Sequence, residues 1–481
     1  MKNRILAAAE DQSKFNQTLR EIFDELTPES DPLGEKLTFK KLENAMFYRR
    51  SKSFPKRPRN IIEISELIMQ CPLLESNFKG NVILPNGDHC GSMFAHNFLL
   101  EKLQDSQDIC FDGTFFTCPL LFYQAFTIFA IVDGHYFPCI ITLMDGKDSE
   151  KYQAVFHKVK SLIPNFQPSR AMADFETAPR NEAQTAWEGL VVNSCAFHYA
   201  KAIFLYMKKK GLEHLYKGKH EFKKWLKQVM CVNLLPANEI HHAFDRLISQ
   251  QFNNIATADA SNIRLLKRYL RRQWYSFNPT NLSVFGCDVS TNNGAESFHS
   301  HIKKKIKVHH PSLWTWIFYV NQIFAAKAQD YRRMENFPED GFIRERRPEL
   351  VEKLAARREL ENKLTNGELT PQRFLLAVSH SYDTVINDFH QYEAPDDPEE
   401  DEDDDEGENP PNPMPAPNNP YFGDCVVCLM PKDGIWKFNC NHAVCCSVCA
   451  RRIIQDGQQT TEGPRCPVCR VLIHSLEQIF I

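Results

Sequence analysis

Three runs between residues 108 and 144 carry apolar, β-branched and aromatic side chains with little interruption: DICFDGTFFT, YQAFTIFAIVDG and HYFPCIITLMDG. Each is broken by Asp-Gly or a similar turn signal, which predicts three consecutive strands. SEKYQAVFHKVKSLIP then changes period, and Tyr152, Val155, Phe156 and Val159 fall on one face of a helix. SRAMADFE reads as a fourth short strand followed by a helix. GLVVNSCAFH reads as a fifth, with helix again from residue 199. Three strands in series and then strand–helix alternation is an α/β pattern with a mixed sheet. Residues 204–275 carry little strand signal and read as helices, as do 296–335 and 340–392. Residues 1–35 read as polar helix. Residues 36–60, basic and ending in prolines, read as a solvated connector, a nucleic-acid-contacting arm or a nuclear localisation signal.

Length changes the picture first. A chain of 481 residues exceeds one compact core, so two or three domains are expected. No run of about 18 apolar residues occurs, so no membrane-spanning helix is expected. The opening MKNRILAAAEDQSKF meets charge too soon for a signal peptide. The 16 cysteines therefore read as reduced thiols or metal ligands. The net charge of −4 hides an asymmetry: residues 393–408, EAPDDPEEDEDDDEGE, hold twelve acids and no base. Without them the chain has 57 basic and 49 acidic residues. That run and the tract PPNPMPAPNNP make 393–420 an expected disordered linker, since neither can bury enough apolar surface to order itself.

Half of the cysteines fall after the linker. They run Cys425-x2-Cys428, Cys440-x-His442, Cys446-x2-Cys449 and Cys466-x2-Cys469. Thiolates two residues apart can meet one ion from one turn, and four such donors close a tetrahedral zinc site. Eight donors make two sites, so two Zn²⁺ are expected. Cys445 and Cys446 are adjacent and either could follow His442; Cys446 keeps the two-residue spacing to Cys449. The spacing resembles the RING family, whose pairs interleave in a cross-brace. The resemblance implies one zinc on Cys425, Cys428, Cys446 and Cys449, and the other on Cys440, His442, Cys466 and Cys469. It also implies a ubiquitin ligase. Val426 or Val427, with Pro467, would meet a ubiquitin-conjugating enzyme, and Arg470 would meet ubiquitin. The tail RVLIHSLEQIFI is similar to the C-terminal RINGs of inhibitor-of-apoptosis proteins. Ile473 and Phe480 sit where those proteins cross to a second RING, which implies a homodimer. The loop 450–465 is longer than theirs.

A second constellation lies in the α/β region. FDGTF places Asp112 on the first strand, MADFE places Asp174 at the end of the fourth, and TNNGAESFH places Glu296 at a helix start. Taken singly, an Asp before Gly is a turn residue, and Glu296 is a helix-start acid that suits the dipole. FDGTFFT, MADFETA, CAFHYAKAI and STNNGAESFHSHIKKKI together resemble the MULE transposase domain of Mutator-like elements, over about residues 90–330. The resemblance implies an RNase H-like fold, DNA as substrate, and a catalytic triad of Asp112, Asp174 and Glu296 holding two Mg²⁺. Strand cleavage and transfer are in-line displacements at phosphorus. Two divalent ions about 4 Å apart stabilise the attacking and leaving oxygens, and hard Mg²⁺ needs carboxylate oxygens. Glu176 is an alternative second-strand acid or an outer partner. Cys195-x2-His198 is half of a zinc site with His299 or His301, or, as we prefer, a metal-free polar prop. Lys303 to His310, KKKIKVHH, suits phosphate contact, or is a solvated helical face.

The expected architecture is thus multidomain. A helical and basic region, 1–89, precedes an α/β RNase H-like core over 90–330 with a helical insertion at about 204–275. A helical extension, 331–392, the linker, 393–420, and a two-zinc RING, 421–481, follow. The cluster RRSKSFPKRPR and a DNA role suggest the nucleus, with some cytoplasmic presence.

Overall fold

In the computed structural model the apolar runs become strands of one seven-stranded sheet. The structure describes residues 1–11, 14, 17, 19–27, 37–306, 310–337, 348–380, 389, 435–438, 473 and 476–479. In chain order the strands are β1 (Phe78–Ile83), β2 (His89–Ala95), β3 (Asp108–Thr114), β4 (Gln124–Val132), β5 (His135–Met144), β6 (Arg170–Ala173) and β7 (Val191–Ser194). Their order across the sheet is β1-β2-β5-β4-β3-β6-β7. Pairing is antiparallel from β1 through to β3, and β3, β6 and β7 run parallel. The expected mixed sheet is therefore present, and it begins earlier than expected: β1 and β2 add a hairpin at one edge.

The helices are α1 (Lys2–Glu10), α2 (Leu19–Leu26), α3 (Phe39–Ser51), α4 (Ile61–Met69), the turn α5 (Pro72–Glu75), α6 (Asn97–Gln104), α7 (Ser149–Leu162), α8 (Thr177–Ala186) and α9 (Ala196–Lys209). After them come α10 (Glu213–Gly218), α11 (His220–Met230), α12 (Ala237–Ser249), α13 (Thr257–Tyr269) with a π turn over Leu270–Tyr275, and α14 (Pro279–Leu282). The last are α15 (Asn293–Ile306), α16 (Leu313–Asn336), α17 (Pro348–Thr365) and α18 (Pro371–His380). Part of the basic stretch 36–60 is thus helix, not connector. Leu42 and Met46 of α3 pack with Ile5, Ile22 and Phe23 in a small core of their own. Arg50 donates to the carbonyls of Gln17 and Lys14.

Helices cover both faces of the sheet, which explains why β4 shows no polar alternation: Gln124 to Ala130 are all buried. Phe126 meets Tyr152 and Phe156 of α7, with ring centroids 5.1 and 6.0 Å away. Phe129 meets Phe298 of α15 at 5.3 Å. Phe111 on β3 joins Phe156 on the α7 side. Side chains alternate along a strand, so Asp112 faces the α15 side. The helical face predicted for α7 is buried as expected, and Asp148 caps that helix by accepting from the Lys151 N–H at 3.2 Å. All eight described cysteines are buried and free. Burial alone pushes the Cys118 thiol well above its ordinary range, and Cys139 up to about 12. Among the described residues no helix is long and apolar enough to cross a membrane.

The chain divides into two units, Met1–Ala394 and Pro395–Ile481. In the second, β8 (Ile435–Phe438) pairs antiparallel with β9 (Leu476–Ile479), matching Ile435 with Ile479 and Phe438 with Leu476. Ile473 is 6% exposed within the single chain. The tail strand is thus paired within its own chain, and it gives the expected homodimer no support. The eight expected zinc ligands, with Val426, Pro467 and Arg470, lie outside the described residues.

Candidate active site

Three elements bring the expected acids together. β3 carries Asp112, Asp174 follows the last residue of β6, and Glu296 sits in the first turn of α15. Parallel pairing of β3 with β6 sets the two aspartates on neighbouring strands. The start of α15 is held by two contacts. Tyr136 Oη of β5 donates to the Thr291 carbonyl at 2.6 Å. Gly294 lies so close to the Tyr136 ring that a Cβ there would collide with it.

Two histidines lie against the acids. His198, on the first turn of α9, has Nδ1 2.8 Å from Asp174 Oδ1 and Nε2 3.2 Å from Glu296 Oε1. The Nδ1 approach is close, but its N–H is not aligned on the oxygen, so the contact is electrostatic and not a formed hydrogen bond. Burial disfavours the imidazolium. The pull of Asp174, Cys195 and Glu296 outweighs it and raises His198 well above the ordinary imidazole range. The second is His299, with Nδ1 3.3 Å from Asp112 Oδ2. Burial raises the Asp112 pKa, and His299 opposes that rise.

Asn292 ties the cluster. It is fully buried and donates from Nδ2 to Asp174 Oδ1 at 2.7 Å. Its Oδ1 accepts from the Cys195 thiol at 3.1 Å. Arg180, 4% exposed, donates to the backbone carbonyls of Asp174 at 3.0 Å and Asn193 at 3.3 Å, which fixes the ends of β6 and β7. Burial lowers its pKa to about 10. Glu176 lies 3.9 Å from Lys147 and beside Tyr152, near enough to feel the charges of Asp174 and Asp112, and burial raises its pKa.

Carboxylates from a strand, a neighbouring strand end and a helix start come together, with Cys195 and His198 between the second and third in sequence. Residues 109–202 match the MULE transposase domain. Asp112, Asp174, Cys195 and His198 lie inside that span; Glu296 lies beyond it. Residues 423–476 match a zinc finger of the C3HC4 type, the RING finger. A RING finger implies zinc, and thiolates with one imidazole suit that ion. No curated protein matches the chain. One solved structure, the Drosophila P element transposase strand transfer complex, covers 78% of this chain and 98% of its own at 11% identity, with a TM-score of 0.22. A likeness that weak carries no argument.

Could the acid cluster hold divalent ions? Its three carboxylates offer oxygen donors, which suit a hard ion, and His198 and His299 lie against them. The ligand atoms of Asp174, Cys195 and His198 lie within 4.8 Å of one another, so a softer donor set overlaps the same place. Among the described residues, that set is the one whose ligand atoms stand close enough to share an ion, so the Cys-x2-His pair is as able to serve a metal as to support the acids. His299 belongs with Asp112, not with a zinc half-site. The sequence signal for His299 was its position three residues after Glu296, one turn along the same face. Asn292 and Arg180 carried no such signal.

Proposed function

We propose that the Met1–Ala394 unit cleaves and joins DNA strands through Asp112, Asp174 and Glu296, as a DDE-type transposase on an RNase H-like sheet. The observation that carries this is the meeting of three carboxylates, from β3, β6 and α15, around two imidazoles. The strand order β5-β4-β3-β6-β7, with β4 alone antiparallel within it, supports the RNase H-like reading. In that reading, helices α9–α14 are an insertion between the second and third acids.

Mg²⁺ bound by the three carboxylates would stabilise the attacking and leaving oxygens of an in-line displacement at phosphorus. The chain's own residues do the positioning. Asn292 orients Asp174, His198 holds Asp174 and Glu296 on either side of its ring, and His299 keeps a buried Asp112 ionisable. Lys303, whose Nζ lies 4.0 Å from the centre of the Phe116 ring, and Lys304 and Lys305 supply cations for the DNA backbone. The test is relaxation of supercoiled plasmid by the full chain with Mg²⁺ or Mn²⁺. Asp112→Asn, Asp174→Asn and Glu296→Gln should each lower nicking by about two orders of magnitude or more. Nicking that survives all three would remove the proposal.

The RING match favours a second activity on the same chain: transfer of ubiquitin from a conjugating enzyme, through Val426, Pro467 and Arg470. The full chain should build ubiquitin chains with a conjugating enzyme. Val426→Ala and Arg470→Ala should suppress that, and unchanged chain formation in both would reject this mechanism. A DNA substrate and the basic stretch around Arg57 and Arg59 favour the nucleus, with some cytoplasmic presence, in this reading.

A further inference from the structure

A groove of about 680 Å³ runs along α13 and the π turn that follows it. Its floor is apolar, with Phe252, Ile255 and Ile263. Its wall is basic: Arg264, Lys267, Arg268, Arg271 and Arg272. No carboxylate lines it. Steps of three and four residues put these cations on one helical face. The four arginines are exposed, and among the described residues no acid pairs with Arg268, Arg271 or Arg272. Asp259, an acid on the same helix, is 3.1 Å from His214 instead. Lys267 lies over the Phe252 ring at 5.5 Å. So many like charges in nine positions repel one another unless an anion meets them.

The helical element that lines the groove is also anchored elsewhere. Trp274, within the π turn, packs on Phe175 at 4.8 Å and on Tyr199 at 4.9 Å. Those residues directly follow Asp174 and His198 in sequence. The element that carries the arginines is thus fastened to the backbone positions beside the acid cluster. π turns inserted in helices are frequent at functional sites.

Charge alone would admit any polyanion, and the floor narrows the choice. A duplex keeps its bases stacked inside, so it would meet the arginines and leave the apolar floor empty. An unpaired strand presents phosphates and base faces together, and bases stack on aromatic and apolar side chains while cations track the backbone. Arg264 to Arg272 spans about 12 Å at 1.5 Å per residue, the reach of roughly two or three consecutive phosphates.

We propose that this groove binds a single-stranded stretch of nucleic acid, with its phosphates on Arg264, Arg268, Arg271 and Arg272 and its bases against Phe252 and Ile255. The inference rests on the DNA reading of the acid cluster for what the strand is part of. Its binding is measured without that chemistry.

The experiment is fluorescence anisotropy of a labelled 12-nucleotide oligo-dT with the full chain, in EDTA and at several salt concentrations. Arg268→Glu with Arg271→Glu should weaken binding at least tenfold and lower the salt slope by about 0.7 for each phosphate no longer neutralised. Arg268→Lys with Arg271→Lys should retain most binding and confirm that charge is what is read. Phe252→Leu, close in volume, should weaken the single strand about fivefold or more and leave a 12-base-pair duplex unaffected. Wild-type affinity in the double charge reversal overturns the proposal. So does a preference for the duplex, or displacement by poly-glutamate with no dependence on Phe252. Absence of divalent-dependent nicking in the wild-type chain would remove the acid-cluster reading and leave the groove result standing.

Discussion

His299 Nδ1 lies 3.3 Å from the Asp112 carboxylate, and the two side chains are only 10% and 13% exposed. A carboxyl so deeply placed depends on that neighbour, because burial penalises its charged form. His299→Ala should destabilise the chain by about 2 kcal/mol, the cost of leaving a buried polar group without its partner. Adding Asp112→Asn should return part of that loss. Urea unfolding of the two single variants and the double variant measures the coupling, and strictly additive losses would show that the pair does not interact.

Asn292 has no room for charge. It sits fully buried, 2.7 Å from Asp174. Asn292→Asp sets one carboxylate against another and should cost more stability than Asn292→Ala, for which about 1–3 kcal/mol is expected. Thermal melts of both variants settle the order; equal losses would mean that charge at this position does not matter.

Gly294 is a packing requirement. The Tyr136 ring occupies the space where a side chain would begin. Gly294→Ala should cost about 1–3 kcal/mol by overpacking and should depress nicking through displacement of Glu296. Tyr136→Ala in the same chain should relieve part of the stability loss. A Gly294→Ala chain as stable as the wild type would contradict the close approach.

Asp148 gives a pH signature. Burial tends to raise its pKa, but Lys151, 2.9 Å away, and the helix N–H it accepts from outweigh burial, and the pKa is lowered. A lowered carboxyl pKa contributes stability that is complete above the unfolded value, about 3.9, and is lost as pH falls through the folded value. Asp148→Ala should therefore cost about 1 kcal/mol near pH 7 as a lost cap, and the gap to wild type should close below about pH 4. A gap that widens on acidification would reverse the assignment.

Zinc content tests the second unit. The full chain should carry two zinc ions, released by a strong chelator or a thiol-blocking reagent and counted with a metal-sensitive dye. Release should abolish ubiquitin-chain formation and spare divalent-dependent nicking. A stoichiometry of one would exclude the two-site ligand set.

Much of the sheet was legible because β3 to β7 are apolar runs with sharp turn punctuation, and because parallel strands buried on both faces show up as continuous hydrophobicity. The edge hairpin was not. In FKGNVILPNGDHCGSMFA, glycine, asparagine and proline interrupt the pattern, and a polar Asn81 is buried there by bonding the Ile61 carbonyl and Ser92. The acids were legible as a set, since Asp112 stands on an apolar strand before a turn signal, Asp174 just after a strand and Glu296 at a helix start. Their supports were not. Arg180 is charged and would be expected at the surface, yet it is buried because backbone carbonyls at two strand ends accept its fork. Asn292 resembles any helix-start asparagine until Asp174 and Cys195 arrive from distant sequence.

The eight buried cysteines of the first unit have a practical consequence. Sealed from solvent, a thiol is alkylated only when the structure around it opens. Each therefore acts as a timer for one place in the core, and its modification rate under native conditions measures the free energy of local opening there. Cys110 on β3 and Cys195 beside His198 would time the opening of the acid cluster. Cys231, after α11, would time the helices between β7 and α15. A single mass-spectrometric labelling course would then rank which part of this unit loosens first.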